Sequence, residues 1–358
     1  MNLRKIRVLI VDDSAIVRKI LTETLSDMPD IEVAGTAPDP YVARDKILAL
    51  NPDIVTLDIE MPRMDGLTFL KKLMRHHPMP VIIISSLAQN SCQIALEALR
   101  QGAVEVIAKP SGPYSVGDLK ATIAAKIRAA SVAKLQNRTA SAPLPEVPPA
   151  LKKTAELVSS ATGSTKIVAI GASTGGTEAI ATVLAGLPSD SPPVLIAQHI
   201  PPVFSRAFAD RMNQSCAMAV KEAVDGDLVR PGMALVAPGN FHMVLRKDQG
   251  TFRVIVKDGP LVCYQRPSVD VMFSSVADAA GASAVGVILT GMGADGARGL
   301  RRMRDAGART IAQDEASCVV FGMPKEAIRL GGADRVMSLA NIAGAILKEA
   351  MPPLAQAV

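Results

Sequence analysis

The chain has 358 residues, 49% of them hydrophobic and 20% charged, with a formal net charge of +5. That length exceeds one ordinary core and favours two domains, and the apolar content excludes global disorder. With aromatics at 3% and no Trp, stacking platforms for single-stranded nucleic acid are not expected, and the mild basicity reads as ordinary surface charge.

From Ile6 onward, short aliphatic runs alternate with amphipathic segments. The runs are Ile6–Val11, Ile31–Val33, Ile54–Leu57, Val81–Ile84 and Val104–Ile107; helical patterns such as Ala15–Leu25 and Leu67–Met74 lie between them. Near-continuous aliphatic strands separated by helices predict a parallel sheet covered on both faces. Three of the runs stop at charge: Asp12-Asp13 after the first, Asp58 after the third, Lys109-Pro110 after the fifth. Ligand sites of open α/β sheets lie at that edge. Asp12, Asp13 and Asp58 together make a hard-cation site suited to Mg²⁺. Asp58, alone at its strand end, is the phosphoacceptor; Ser85 or Ser86 offers a hydroxyl to a phosphoryl oxygen, and Lys109 supplies the counter-charge, with Pro110 fixing the turn behind it. The plainer reading, Asp12 and Asp13 as helix caps, does not explain why Asp58, a serine and Lys109 gather at the same edge.

This constellation resembles the receiver domain of two-component response regulators, over residues 5 to about 125. The resemblance implies that Asp58 takes phosphate from a histidine kinase, that the backbone carbonyl of Glu60 completes the metal shell, and that Ser85 is the switch hydroxyl with Ser86 as fallback. Receivers often carry an aromatic switch residue three positions before the lysine; here that position is Val106.

From about Asn137 to Thr165 periodicity fades, and Pro143, Pro145, Pro148 and Pro149 sit among Ala, Ser and Thr. This predicts a linker over 126–165, with room for a short helix at Leu151–Val158. The expected domains are therefore 1–125 and 166–352.

A second α/β pattern starts at Lys166. Its strands are expected at Ile167–Ile170, Val194–Ala197, Ala234–Ala237, Val285–Leu289 and Thr310–Ala312, with an antiparallel hairpin in Met243–Lys257 turning at Asp248-Gln249-Gly250. Gly171-Ala172-Ser173-Thr174-Gly175 follows the first of these strands and fits G-x-S-x-G, a sharp turn that exposes a serine hydroxyl. No Lys-Ser/Thr follows, so it is no Walker loop; a helix cap at Ser173 or Thr174 is the plain alternative. A nucleophilic serine needs a base, and the chain has four histidines. His76 and His77 end a helix of the first domain, and His242 lies in a turn where it could pack or bond locally. His199, just past the next strand, is the first choice. Asp295, in the Gly-rich loop Gly291–Gly296, is the acid that would orient His199. Asp270 is the runner-up, better placed in the first turn of its own helix, and Asp225 and Asp227 read as turn residues.

This half resembles the catalytic domain of the protein-glutamate methylesterases of bacterial chemotaxis, over about 165–350. The motifs are Gly171–Gly176, Gln198-His199-Ile200-Pro201, Gln265-Arg266-Pro267-Ser268-Val269-Asp270 and Gly291–Gly296. A receiver, a linker and this domain in one chain is that family's architecture. The resemblance implies hydrolysis of glutamate methyl esters and deamidation of glutamines on chemoreceptors, an oxyanion hole including the backbone N–H of Met292, no cofactor for the ester chemistry, and inhibition by the receiver until Asp58 is phosphorylated. The expected fold is two doubly wound parallel sheets, flavodoxin-like then Rossmann-like with a β-hairpin. The rival reading is a response regulator with a DNA-binding output; a nucleotide-binding output is a second.

The cysteines, Cys92, Cys216, Cys263 and Cys318, are far apart and form neither a disulfide framework nor a zinc site. The N-terminus shows no signal-peptide pattern and Ala279–Ala294 is too short to span a membrane, so a cytoplasmic protein without membrane insertion is expected. Arg298, Arg301, Arg302 and Arg304 read as a solvated helix face, or as a docking patch for acidic receptor helices.

Overall fold

The computed structural model describes residues 4–109, 116–135 and 166–350, and the chain divides into two compact units, Met1–Arg138 and Thr139–Val358. The first unit runs β1 (Ile6–Val11), α1 (Ala15–Ser26), β2 (Ile31–Ala37), α2 (Pro40–Leu50), β3 (Ile54–Asp58), α3 (Gly66–His76), β4 (Val81–Ser85), α4 (Gln89–Arg100), β5 (Glu105–Ala108) and α5 (Val116–Ser131). Its sheet is parallel throughout, in the order β2-β1-β3-β4-β5. Every residue of β3 and β4 is buried, the pattern of central strands covered on both faces. The chain leaves β1 for β2 on one side and returns to β3 on the other. The carboxyl ends of β1 and β3 thus flank the switch point where such sheets bind ligands.

The second unit runs β6 (Ile167–Ala172), α6 (Gly176–Ala185), β7 (Val194–Gln198), α7 (Phe204–Ser215), β8 (Ala219–Glu222), β9 (Met233–Val236), β10 (His242–Asp248), β11 (Thr251–Lys257), α8 (Val269–Ala280), β12 (Ala284–Ile288), α9 (Ala297–Asp305), β13 (Arg309–Gln313), α10 (Met323–Arg329), β14 (Arg335–Met337) and α11 (Leu339–Ala350). Seven strands form a parallel sheet in the order β14-β13-β12-β6-β7-β9-β8. The switch point here lies between β6 and β12, because β7 falls on one side of β6 and β12 on the other. β10 and β11 form the expected separate antiparallel hairpin, whose turn at Gln249 and Gly250 has positive φ at both residues. Phe204, Phe208 and Phe273, from α7 and α8, are the bulkiest fully buried side chains and fill the space against the sheet.

Three elements were not anticipated. β8 and β14 are short edge strands with mixed burial, and α10 is a seven-residue helix. Each is held by a longer neighbour and carries little periodicity of its own. Helix α5 continues through Ser131, inside the stretch expected as linker. The rest of that linker, the helix expected at Leu151–Val158 and Pro110 lie outside the described residues. Most helices of the second unit pack on its sheet, and no helix-turn-helix module occurs among the described residues, which disfavours a DNA-binding output. Among those residues, no helix is long and apolar enough to cross a membrane.

Candidate active site

In the first unit, the acidic edge assembles as expected. Ligand atoms of Asp12, Asp13 and Asp58 lie within 4.8 Å of one another. Ser14, rather than either aspartate, caps α1 through its hydroxyl, leaving the carboxylates to the edge. Lys109 Nζ donates to Asp58 Oδ2 at 2.7 Å and stands 3.2 Å from Asp12 Oδ2. The second contact is close enough for an ion pair yet poorly aligned: Asp12 Oδ2 is buried and accepts no hydrogen bond. A buried carboxylate oxygen without a donor, beside two further carboxylates, fits a hard divalent cation such as Mg²⁺.

Burial, which disfavours the charged form, raises the Asp12 carboxyl against the pull of Lys109. The same burial, together with the negative charge of Asp12, pushes Asp58 up to about 6 although Lys109 opposes it. A folded value above the unfolded one means that stability is complete below pH 3.8 and is lost as pH rises through about 6. Without divalent cation, Asp58→Asn should therefore be the more stable protein at pH 7.5, by about 1–3 kcal/mol. Melting temperatures measured from pH 4 to 8 should converge at the acid end, and added Mg²⁺ should narrow the gap by binding only the wild type.

Ser85 is 1% exposed, and its hydroxyl makes only long contacts, 3.4 Å to the carbonyl oxygens of Ser86 and Ser91. Ser86 Oγ is engaged with Ser91 Oγ at 2.9 Å, and Ser91 in turn donates to the Glu60 carboxylate. Glu60 N–H donates to Asp58 Oδ1 at 3.2 Å. Ser85 is thus the less committed of the two hydroxyls. Val106 is buried within β5, with no aromatic ring at that position.

In the second unit, Ala172 and Gln198 are paired across β6 and β7, so Ser173 and His199 are the next residues on neighbouring strands. The His199 N–H donates to Ala172 O at 3.1 Å, extending the ladder one step beyond the sheet. Ser173 N–H donates to Thr290 O at 3.0 Å, and Gln198 Nε2 donates to Ser173 O at 2.8 Å. Gly175 holds φ at +76°, and a Cβ there would sit 2.7 Å from Val319, so only glycine closes this elbow. A Cβ on Gly291 would lie 2.7 Å from Ser173 Cβ, which measures how closely the Gly-rich loop approaches the serine. Met292 follows directly, its side chain exposed and its N–H without a hydrogen bond among the described residues.

Asp295 is 2% exposed and receives four hydrogen bonds: from His199 Nε2 (2.7 Å), Ser268 Oγ (2.8 Å), Val269 N–H (2.7 Å) and Asp270 N–H (3.0 Å). Burial would raise this carboxyl, but the hydrogen bond and charge of His199, with the two α8 amides, hold it below the usual carboxylate range. A charged carboxylate can only accept, so Nε2 carries the imidazole hydrogen and Nδ1 is left with a lone pair. Nδ1 is buried and has no partner; Ser173 Oγ makes no hydrogen bond to it. The structure therefore brings His199 and Asp295 into contact and sets Ser173 beside them with its hydroxyl unengaged.

The other candidates separate cleanly. Asp270 Oδ1 accepts Gly299 N–H at 2.6 Å from the first turn of α8, and Asp225 and Asp227 accept backbone amides. Arg301, Arg302 and Arg304 pair with Asp305, Asp278 and Asp334. Ser268 carries a signal that is local and easily missed: a serine just before an apolar helical run marks an N-cap. It caps α8 and also donates to Asp295.

Residues 168–346 match the family model described as CheB methylesterase, and residues 8–122 match the response regulator receiver domain. A protein-glutamate methylesterase/protein-glutamine glutaminase 2 of Syntrophus aciditrophicus (strain SB) is 56% identical over 345 residues, 96% of this chain and 99% of that one. A protein-glutamate methylesterase/protein-glutamine glutaminase of Escherichia coli (strain K12) is 52% identical over 345 residues, 96% of each chain. Among solved structures, the catalytic domain of Thermotoga maritima CheB methylesterase aligns with a TM-score of 0.51 at 37% identity, covering 51% of this chain and 98% of that domain. With both family models matched and the sites at the expected sheet edges, the chain belongs to the CheB methylesterase family and carries a response regulator receiver domain ahead of its methylesterase domain.

Proposed function

We propose that this chain is a cytoplasmic, phosphorylation-activated serine hydrolase that cleaves glutamate methyl esters on chemoreceptors and deamidates receptor glutamines. The observation that carries this reading is the buried His199–Asp295 pair set one strand from Ser173. Asp295 fixes the imidazole with Nδ1 unprotonated, and Ser173 Oγ gives its proton to that nitrogen as it attacks the ester carbonyl carbon. The resulting oxyanion accepts the Met292 N–H, a donor of a kind typically worth about 10²–10³ in rate. The tetrahedral species collapses, and methanol leaves with the proton from His199. Water, deprotonated by the same nitrogen, then attacks the acyl-serine and releases the glutamate carboxylate and the free Ser173 hydroxyl. With a glutamine substrate, ammonia leaves instead of methanol.

Control rests on Asp58, whose carboxylate oxygen takes the phosphoryl group from a histidine kinase. Lys109 offsets the added charge, and the Ser85 hydroxyl donates to a phosphoryl oxygen. Asp12, Asp13, Asp58 and the Glu60 carbonyl would hold Mg²⁺, which screens charge during phosphoryl transfer when bound. The testing experiment is methanol release from methylated receptors, with and without a small phosphodonor such as acetyl phosphate. Release that rises with phosphodonor in the wild type, but not in Asp58→Asn, is expected; no release under either condition would refute the reading.

A further inference from the structure

His242 is the one buried histidine that the mechanism above leaves unused. It opens β10, is 3% exposed, and both ring nitrogens are engaged. Nε2 lies 2.9 Å from Pro260 O, and Nδ1 lies 3.2 Å from the backbone nitrogen of Ser268. A carbonyl oxygen can only accept and a backbone amide can only donate. The two contacts together require a neutral ring with its hydrogen on Nε2 and its lone pair on Nδ1. A base for Ser173 would need a free nitrogen, and this ring has none.

What His242 holds is the first turn of α8. A helix N-terminus leaves its leading amides without helical partners, and burial makes each unpaired one costly. Here the turn is satisfied by three side chains in sequence. Ser268 N–H goes to His242 Nδ1, Val269 and Asp270 N–H go to Asp295, and Val271 N–H goes to Ser268 Oγ at 3.3 Å. Accepting from Val271 leaves the Ser268 hydroxyl hydrogen free to point at Asp295 Oδ1. An unbroken path of hydrogen bonds therefore runs from Pro260 through His242, Ser268 and Asp295 to His199. Two contacts stiffen its outer end. Leu245 N–H donates to Ser275 Oγ at 2.9 Å, tying β10 along α8, and a Cβ on Gly259 would stand 3.3 Å from the His242 ring.

We infer that His242 is a positioning residue for the esterase: by accepting the Ser268 N–H it sets the hydroxyl and amides that aim Asp295 at His199. The inference rests on the serine-hydrolase reading of Ser173, His199 and Asp295. It assigns work to the acceptor at Nδ1, whereas a merely structural histidine would depend on ring volume and the Pro260 bond. Asparagine places an acceptor near the Nδ1 position; glutamine places its amide near Nε2.

The test uses the full chain with acetyl phosphate, methylated receptors and methanol release, comparing His242→Asn, His242→Gln and Ser173→Ala, with a melting temperature for each. His242→Gln should lower kcat about 10-fold or more with KM unchanged, because small misplacements of a catalytic group are costly. His242→Asn should stay within about threefold of wild type, although both variants melt lower than wild type by similar amounts. Equal kcat losses in the two variants, no loss in either, or a larger loss in the asparagine variant would overturn the inference. If neither variant shows a folding transition, Ser268→Ala, which removes the next link and leaves His242 in place, should show the same kcat loss; full activity there would overturn it. Methanol release by Ser173→Ala would refute the underlying reading instead, and so the two failures are told apart.

Discussion

Ser173→Ala is expected to fold normally and to lose methanol release from methylated receptors by about 10⁶-fold in kcat, the scale seen when a triad nucleophile is removed. Folding is spared because Ser173 contributes through its backbone: its N–H donates to Thr290 O, and its carbonyl accepts from Gln198. Its hydroxyl is only half-buried and has no hydrogen-bond partner among the described residues, so truncation leaves no buried polar group unpaired. Residual activity should remain above the uncatalysed rate, since the Met292 N–H and the binding surface are untouched. An unchanged melting temperature and unchanged receptor binding would show that the loss is chemical. Wild-type turnover in this variant would end the assignment of the nucleophile.

Asp295→Asn should reduce kcat about 10⁴-fold, following the logic of a triad acid made neutral. The amide cannot accept from all the groups that now surround the carboxylate. If its oxygen faces Ser268 Oγ and Asp270 N–H, its NH₂ faces His199 Nε2 and Val269 N–H. The imidazole must then move its hydrogen to Nδ1, the nitrogen that has to take the serine proton. The variant should also melt lower, because a cap of α8 is lost with the charge. The depressed Asp295 carboxyl contributes stability that is fully present above its ordinary value of 3.8 and fades as pH falls through the folded value. The gap in melting temperature between wild type and Asp295→Asn should therefore close in strong acid; the Asp58→Asn gap also closes at the acid end but has the opposite sign, because there the variant is the more stable protein. Asp270→Asn, whose carboxylate serves Gly299 and not His199, is the matched control, and a comparable kcat loss there would reassign the acid.

Much of this is legible in the amino-acid sequence alone. Aliphatic runs that end in Asp13, Asp58, Ser173 and His199 announce buried parallel strands, because burial on both faces leaves no polar position until the chain emerges at the edge. The hairpin was legible over Met243–Lys257 for the same kind of reason, through alternation around Gln249-Gly250. The structure begins its first strand one residue earlier, at His242, which reads in sequence as a turn residue. β8 and β14 were not legible, because a short edge strand needs only one neighbour and carries no pattern of its own.

Local chemistry along the chain thus decided which residues reach the two sheet edges, since strand periodicity and strand endings are properties of adjacent residues. Tertiary packing alone decided which imidazole nitrogen is free at His199, that Ser268 is a cap and also a donor to Asp295, and that His242 stands behind it. Those outcomes depend on α8 meeting the loop after β12 and the start of β10. Hydrogen-bond direction between segments so far apart in sequence is set only when burial removes water as the competing partner.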